Sequence, residues 1–420
     1  MTSLSDSIKN LLRIEDPNLI IWDTDKKDGQ MICYASLMLN RCPWCRSKNI
    51  VHNGNYISHV KHLSPDASMP VIIKLRKQRI YCRLCHKRSM AKSALINKYC
   101  HISNPVKQKV LTALTEDRCM TSIARENNVS ANTVSRVMTQ FSTPFHLGLA
   151  RLPEHLAFDE FRGVGRQLHF ICIDGESHQI IKILPDRYKK SIIKYFEKFT
   201  LKAREGVKTV SMDLNSYYQD IVHQIFPNAQ VIIDRFHMVQ MLNRSLNQLR
   251  VNTMKKFDRS SREYKLLKSP WKLYLKRHKD LEHAKPYYND RLKDNLTQEQ
   301  IVEDGLSIDQ VFENTYNLVQ DFFEALDTKD VPKMKAAINS TDKVGEQMKV
   351  TLKTFKQNMT AVLNSIKYLY SNGCLEGTNR KIKQIQRTAY GYRNFKNMLA
   401  RIKLEQKNTA LTEKRPRLIA

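Results

Sequence analysis

The chain has 420 residues, more than one ordinary hydrophobic core serves, so about two to four structural units are expected. Lys and Arg number 70 against 41 Asp and Glu, a formal net charge of +29 spread along the whole chain; a compact state so charged repels itself, which predicts a polyanionic partner, nucleic acid before a membrane surface. No run of about 18 apolar residues exists, and the opening MTSLSDSIKNLLRIEDPN carries acids where a secretion signal is basic and then greasy, which argues against spanning and secreted classes and predicts a cytosolic protein.

Nine cysteines include CPWC, with Cys42 and Cys45, and CRLC, with Cys82 and Cys85. In a reducing compartment such pairs point to metal before disulfides: each tight turn sets two thiolates on one side of an ion, and two turns close a tetrahedron around a structural Zn²⁺. A redox role for CPWC would need a helix behind it and no second pair. The segment MPVIIKLRKQRIYC alternates into a strand that leads to the second pair. Its Lys74, Arg76, Lys77 and Arg79 face either a phosphate backbone or solvent. Cys100, His101 and His86 lie near enough in sequence to replace one cysteine. Residues 1–104 are therefore expected to form a zinc-binding N-terminal domain.

Residues 105–150 contain MTSIARENNVSANTVSRVMTQF. Ile123 and Ala124 form the inner face of a short helix, Val129 sits in the turn, and Ser130 can cap a second helix with Val134, Val137 and Met138 inward, the spacing of a helix-turn-helix. Asn132, Thr133, Ser135 and Arg136 are then expected to point outward, as polar groups suited to base edges and phosphates. A plain helical hairpin in a larger core is the competing reading.

From Leu152 the pattern turns to short strands, HLAFDEFRG, LHFICIDG and HQIIKILPD, with a turn at DGES. KSIIKYFEKFT has helical spacing, VKTVSMDL reads as a strand, SYYQDIVHQIF as a helix and AQVIIDRFH as a strand. The order β-β-β-α-β-α-β predicts a mixed sheet flanked by helices. Asp159, Asp213 and Asp234 close the apolar parts of three strands, and strand ends meet at one rim where ligands bind. Carboxylates gathered there repel unless a cation joins them, and Mg²⁺ or Mn²⁺ prefers carboxylate oxygen. Each aspartate taken singly reads as a turn or cap residue; Asp174 and Asp186 are read so. His237 stands one helical turn after Asp234, either as a polar group for the rim or as its structural partner.

Farther on, SNGCLEGTNRKIKQIQRTAYGYRNFKNMLARIK predicts one long helix opened by Glu376. Ile382, Ile385, Ala389, Phe395, Leu399 and Ile402 fall inward, with Arg380, Lys381, Lys383, Arg387 and Lys396 largely outward, and Arg380, Lys381 and Lys383 are candidates for DNA binding. Glu376 is a dipole-satisfying cap on one reading and a further metal ligand on the other.

Taken together, FDEF, SMDLNSYY, FPNAQVIIDRFH and LEGTNRKIK resemble the DDE transposases of bacterial insertion sequences, the ISL group whose type member is numbered three. The resemblance covers nearly the whole chain, including the zinc-binding start and the helix-turn-helix. It implies an α/β chain with a ribonuclease H-like catalytic fold, whose acidic triad maps to Asp159, Asp213 and Glu376, with Asp234 and His237 matching a D-x-x-H element. Asp213 is favoured over Asp234 as the second acid. Residues 151–237 then form the first part of the catalytic core, 238–370 an all-helical insertion and 371–420 the final helix and tail. Trp271 and Tyr274 in the insertion read as DNA-stacking or core aromatics. The activity implied is binding of terminal inverted repeats, then two-metal cleavage and strand transfer on double-stranded DNA, by a homodimer in the bacterial cytoplasm at the nucleoid. A DNA-binding regulator with an inactive nuclease-like body is the alternative, and a nuclease of similar fold that cuts without joining is a third reading.

Overall fold

The computed structural model describes residues 4–65, 69–142, 148–214 and 216–413. The chain divides into two units: Met1–Pro144, Gly163–Gly165 and Lys381–Ala420 in one, Phe145–Arg162 and Arg166–Arg380 in the other. No helix among the described residues is long and apolar enough to cross a membrane.

In the first unit, helix α1 (Leu4–Leu11) precedes strands β1 (Leu19–Lys27), β2 (Gln30–Leu37), β3 (Ile50–His62), β4 (Val71–Cys82) and β5 (Arg88–Met90). They form a five-stranded sheet in the order β1-β2-β4-β3, with β5 on β4. The hairpin between β1 and β2 turns on Asp28 (φ 51°) and Gly29 (φ 70°); both central residues are left-handed, as a turn matching the twist of antiparallel strands requires. Strand β4 sends Val71, Ile73 and Leu75 into a core shared with Leu19, Cys33, Leu37 and Val60. Lys77 lies on that inward face and is buried, so the four basic residues of β4 do not share one exposed face. Buried His62 donates from Nε2 to the Leu12 carbonyl at 2.7 Å and meets Ser103 Oγ through Nδ1 at 2.8 Å, pinning the sheet to the segments before β1 and after β5.

Three helices follow, α2 (Asn104–Ala113), α3 (Met120–Glu126) and α4 (Ala131–Phe141), around a small core of Val106, Val110, Ile123, Val134, Val137 and Met138. As expected, Ser130 caps α4, its hydroxyl accepting the Thr133 N–H at 3.2 Å.

The second unit opens with β6 (His155–Arg162), β7 (Leu168–Asp174) and β8 (Ile180–Ile183), then α5 (Lys189–Phe196), α6 (Leu201–Glu205), β9 (Thr209–Met212), α7 (Ser216–Ile225) and β10 (Gln230–Ile233). The expected order holds, with short α6 added. The sheet runs β10-β9-β6-β7-β8; β6, β7 and β8 are antiparallel neighbours, while β9 pairs parallel with both β6 and β10. Phe158 packs edge-on against Phe170, ring centroids 5.0 Å apart, beneath the sheet.

After β10 come α8 (Arg235–Met254), α9 (Arg262–Lys268), β11 (Tyr287–Asn289), β12 (Asp294–Leu296), α10 (Gln298–Leu306), α11 (Gln310–Thr328), α12 (Val331–Ile338), α13 (Glu346–Gln357) and α14 (Met359–Lys367). The stretch is not all-helical: β11 and β12 form a hairpin, because Asn289 Oδ1 accepts the Arg291 and Leu292 N–H groups and Lys293 turns at φ 55°. Tyr274 is fully buried, its hydroxyl donating to the Leu266 carbonyl at 3.2 Å, whereas Trp271 is exposed. This stretch is no separate lobe. One apolar core holds Phe158, Met212 and Ile233 of the sheet together with Leu242, Phe312, Phe322, Phe355 and Ile366. Asn364 on α14 donates to the Val231 carbonyl of β10 at 2.9 Å.

The expected single C-terminal helix is two, α15 (Gly373–Thr388) and α16 (Phe395–Glu413). Tyr390 (φ 55°) and Gly391 (φ 89°) are left-handed, and the Gly391 N–H turns back to the Gln386 carbonyl at 2.8 Å, which stops the helix. In the first unit α16 packs on α4, and its buried Arg401 joins Glu405 at 2.8 Å and the Glu116 carbonyl at 2.6 Å.

Candidate active site

The two cysteine knuckles meet. Cys42 Sγ lies 3.6 Å from Cys85 Sγ and Cys45 Sγ 3.5 Å from Cys82 Sγ, and all four sulfurs fall within 4.8 Å of one another. A regular tetrahedron with Zn–S of about 2.3 Å asks for sulfurs roughly 3.8 Å apart, so the set matches a structural zinc centre. Backbone N–H groups of Cys45 and then Trp44 point at Cys42 and pull its thiol down to about 6, and those of Cys85 and Leu84 lower Cys82 likewise. Each knuckle ends on a left-handed residue, Arg46 (φ 58°) and His86 (φ 56°). None of the other candidates joins the set: His86 Nδ1 meets the Tyr81 hydroxyl, His101 Nδ1 meets the His59 carbonyl, and Cys100 packs against the sheet core.

In the second unit, sheet register gathers the acids. The parallel ladder of β6 and β9 pairs Ala157 with Ser211, and that of β10 and β9 pairs Ile233 with Met212. Counting onward along parallel strands, Asp159, Asp213 and Asp234 stand level on three neighbouring strands. Strand β9 ends at Met212, which opens a cleft of about 380 Å³ lined by Asp159, Glu160, Asp213, Tyr218, His237 and Arg244 among others.

The electrostatics follow from burial. Desolvation pushes Asp159 up to about 6; the Glu160 N–H, 2.7 Å from Oδ1, works against this and the Asp213 charge adds to it. Asp234 is 3% exposed and is likewise raised by desolvation, while His237 and the Asn372 N–H draw it back. Its Oδ2 is buried and accepts no hydrogen bond. His237 Nε2 stands 2.9 Å from Asp213 Oδ1 and 4.0 Å from Asp234 Oδ2, and the Asp213 carboxylate raises it above its ordinary range against the opposing effect of burial. Asp213, Asp234 and His237 offer ligand atoms within 4.8 Å of one another. The two carboxylates supply hard oxygens that fit Mg²⁺ or Mn²⁺, whereas His237 could ligate only as the neutral imidazole.

Glu376 stands apart from this group. It lies in the first turn of α15, outside the cleft lining, with Oε2 3.6 Å from the exposed Arg380 guanidinium. The same helix does reach the acids: Asn379 Nδ2 donates to Asp159 Oδ2 at 2.7 Å. Glu160, held by Arg187 Nη1 at 2.7 Å and by the Tyr218 hydroxyl at 3.2 Å, also lines the cleft. Asn379, Glu160 and Arg244 carry no local signal in the sequence. The quoted LEGTNRKIK contained Asn379, but a lone amide inside a helix carries no chemical signature.

On α4, Asn132 and Arg136 are exposed, whereas Thr133 is 8% exposed and turned into the cap, because the residue three past Ser130 falls on the inner edge of the helix. Ser135 is half-buried against Asn397 of α16. Arg380, Lys381 and Lys383 of α15 are exposed, Lys381 reaching the Glu405 carbonyl at 3.5 Å.

The sequence model of the ISL3-type DDE family, described as a transposase, matches residues 156–402. A second, described as the zinc-finger of transposase IS204/IS1001/IS1096/IS1165, matches residues 39–85. The chain is 23% identical over 383 residues to the transposase for insertion sequence element IS1001 of Bordetella parapertussis, covering 88% of this chain and 89% of that one. It is also 31% identical over 117 residues to a Lactococcus lactis subsp. lactis protein named ATP-dependent protease, 28% of this chain and 38% of that one.

Proposed function

This chain belongs to the ISL3 family of DDE transposases, and from that premise we propose that it binds the terminal inverted repeats of an insertion sequence and performs metal-dependent DNA cleavage and strand transfer. The observation that carries the chemistry is the level row Asp159, Asp213 and Asp234, with Asp159, Asp213 and His237 lining an open cleft and Asp234 buried behind them. A central strand flanked by an antiparallel meander on one side and two parallel strands on the other is the topology expected of a ribonuclease H-like fold. Residues 151–237 and the opening of 371–420 are assigned to that catalytic core, with 238–370 inserted in it; Lys381–Ala420 belong to the first unit.

Asp159 and Asp213 are the proposed metal ligands; Asp234 offers a ligand atom close to that of Asp213, and its Oδ2, which accepts no hydrogen bond, is an open position. Glu376 is the third acid by family likeness, and the helix it shares with Asn379 supports its part. Bound there, two Mg²⁺ or Mn²⁺ ions would activate the attacking oxygen and stabilise the leaving one. His237, kept charged by Asp213, presents a cation to a phosphate oxygen in the cleft. In the first step a water oxygen bonds to phosphorus as the bond to the 3′ oxygen breaks, freeing a 3′-hydroxyl. That hydroxyl then attacks a target phosphorus, one P–O bond forming as another breaks, so no energy source is consumed.

The zinc ribbon of residues 1–104 and the helix-turn-helix of 105–150 would recognise the repeats, with Asn132 and Arg136 toward the DNA. Arg380, Lys381 and Lys383 would meet the phosphate backbone. Work on two element ends suits a homodimer acting at the nucleoid. The test compares the unaltered chain with Asp159→Asn and Asp213→Asn for Mg²⁺-dependent cleavage of terminal-repeat DNA and for binding to it. Binding retained with cleavage lost in the variants is expected; an unaltered chain that binds but never cuts, under any divalent cation, is a regulator and ends the enzyme reading.

A further inference from the structure

Two asparagines of the α15 region grip consecutive residues of β6. Asn372, at the start of α15, donates from Nδ2 to the Phe158 carbonyl at 3.0 Å, and Asn379, two turns on, donates to Asp159 Oδ2 at 2.7 Å. Both side chains are buried, 2% and 9% exposed. The orientation of the Asn379 amide is fixed by chemistry, because swapping its oxygen and nitrogen would set a carbonyl against a carboxylate. Asp159 is thereby held at both oxygens, Oδ1 by the Glu160 N–H and Oδ2 by Asn379. A lone aspartate on a strand would sample several rotamers; this one is confined to the rotamer level with Asp213.

We infer that Asn379 is a positioning residue for the acid row: its amide N–H orients the Asp159 carboxylate for a divalent cation and ties that orientation to the seating of α15 on β6. The inference rests on the metal-binding reading above and deepens it. Glu376 sits one turn before Asn379, so the same seating sets the place of both residues on the helix. Asn379 meets Asp159 through its amide nitrogen, and its Oδ1 is buried without a hydrogen-bond partner.

The test uses the full, zinc-loaded chain with Mn²⁺ as probe, following free Mn²⁺ by electron paramagnetic resonance. Asn379→Ala is expected to weaken Mn²⁺ binding about 10- to 100-fold, the usual effect of losing a ligand's hydrogen-bond partner. Asn379→Asp, which keeps the volume and removes the donor, weakens it at least as much and carries the test if alanine leaves α15 unseated. In an Asp159→Asn background, Asn379→Ala adds no further loss, because the carboxylate it serves is already gone. Unchanged affinity in Asn379→Ala, or tighter binding in Asn379→Asp, overturns the inference. Failure of the unaltered chain to take up Mn²⁺ at the cleft instead overturns the metal-binding reading itself.

Discussion

His237 Nε2 stands within reach of both Asp213, at 2.9 Å, and Asp234, at 4.0 Å, so one imidazolium offsets two of the three acids in the row. His237→Ala removes that offset and leaves the carboxylates to repel one another in a partly desolvated cleft. The unfolding temperature in chelator at pH 7 is expected to fall, and added Mn²⁺ to raise it by more than it raises the unaltered chain. Thermal unfolding with and without Mn²⁺ checks this; equal shifts in both proteins would refute the pairing.

The pH dependence has a definite sign. Asp159 titrates near 6 in the folded chain against an ordinary 3.8, so between these values the native state holds a proton that the unfolded chain has lost, and the associated stability declines as pH rises through the window. Desolvated Asp234 acts in the same direction. His237 is raised above 6.5, so its contribution is complete below that value and is lost as pH rises through its folded pKa. Without divalent cation, stability should therefore decrease from about pH 4 past neutrality. Asp159→Asn should flatten the acidic part of that profile, as followed by denaturant melts at successive pH values.

Zinc should be present at about one equivalent per chain by elemental analysis. Cys85→Ser removes one thiolate from the knuckle cluster and should unfold the ribbon and abolish terminal-repeat binding, since a structural zinc site contributes folding free energy outright. Retained DNA affinity in a zinc-free protein would show that the ribbon has no part in recognition.

On α4, the exposed Arg136 and the capping Ser130 should separate function from stability. Arg136→Ala is expected to reduce the salt dependence of DNA binding by about one unit of log–log slope. Ser130→Ala should leave that slope alone and destabilise the helical subdomain by about 1 kcal/mol. Binding isotherms across a salt series, paired with thermal melts, distinguish the two.

Gly305 in α10 lies against the buried Tyr274, and an added Cβ would collide with the tyrosine hydroxyl. Gly305→Ala should destabilise the second unit by about 1–3 kcal/mol through overpacking, outweighing the helix propensity gained. Urea denaturation measures the difference.

The sheet of the second unit was legible because β6, β9 and β10 each carry an apolar run that stops at an aspartate, so the strands, their order in the chain and the acid row could be read from those runs. The N-terminal sheet was legible only at β4. Strand β1, LIIWDTDKK, leaves most of its residues exposed and so lacks alternation, although Asp28-Gly29 marked its turn. The C-terminal helix was read as unbroken because its apolar spacing continues across Tyr390-Gly391, where backbone conformation and not hydrophobicity ends it. Thr133 was placed outward by counting polar residues, yet its side chain belongs to the cap. Asn379 was invisible because its meaning depends on Asp159, far away in the chain, and pairings at that distance leave no local pattern.

The apolar interior that joins Phe158 beneath the sheet to Ile366 on α14 makes the long excursion between His237 and Tyr370 part of what holds that sheet. A miniaturised enzyme made by splicing out that excursion would leave Val231 and Ile233 facing water, and such a stub should aggregate instead of cutting. Any shortening of this protein must respect that a detour in the chain can be a wall of the house.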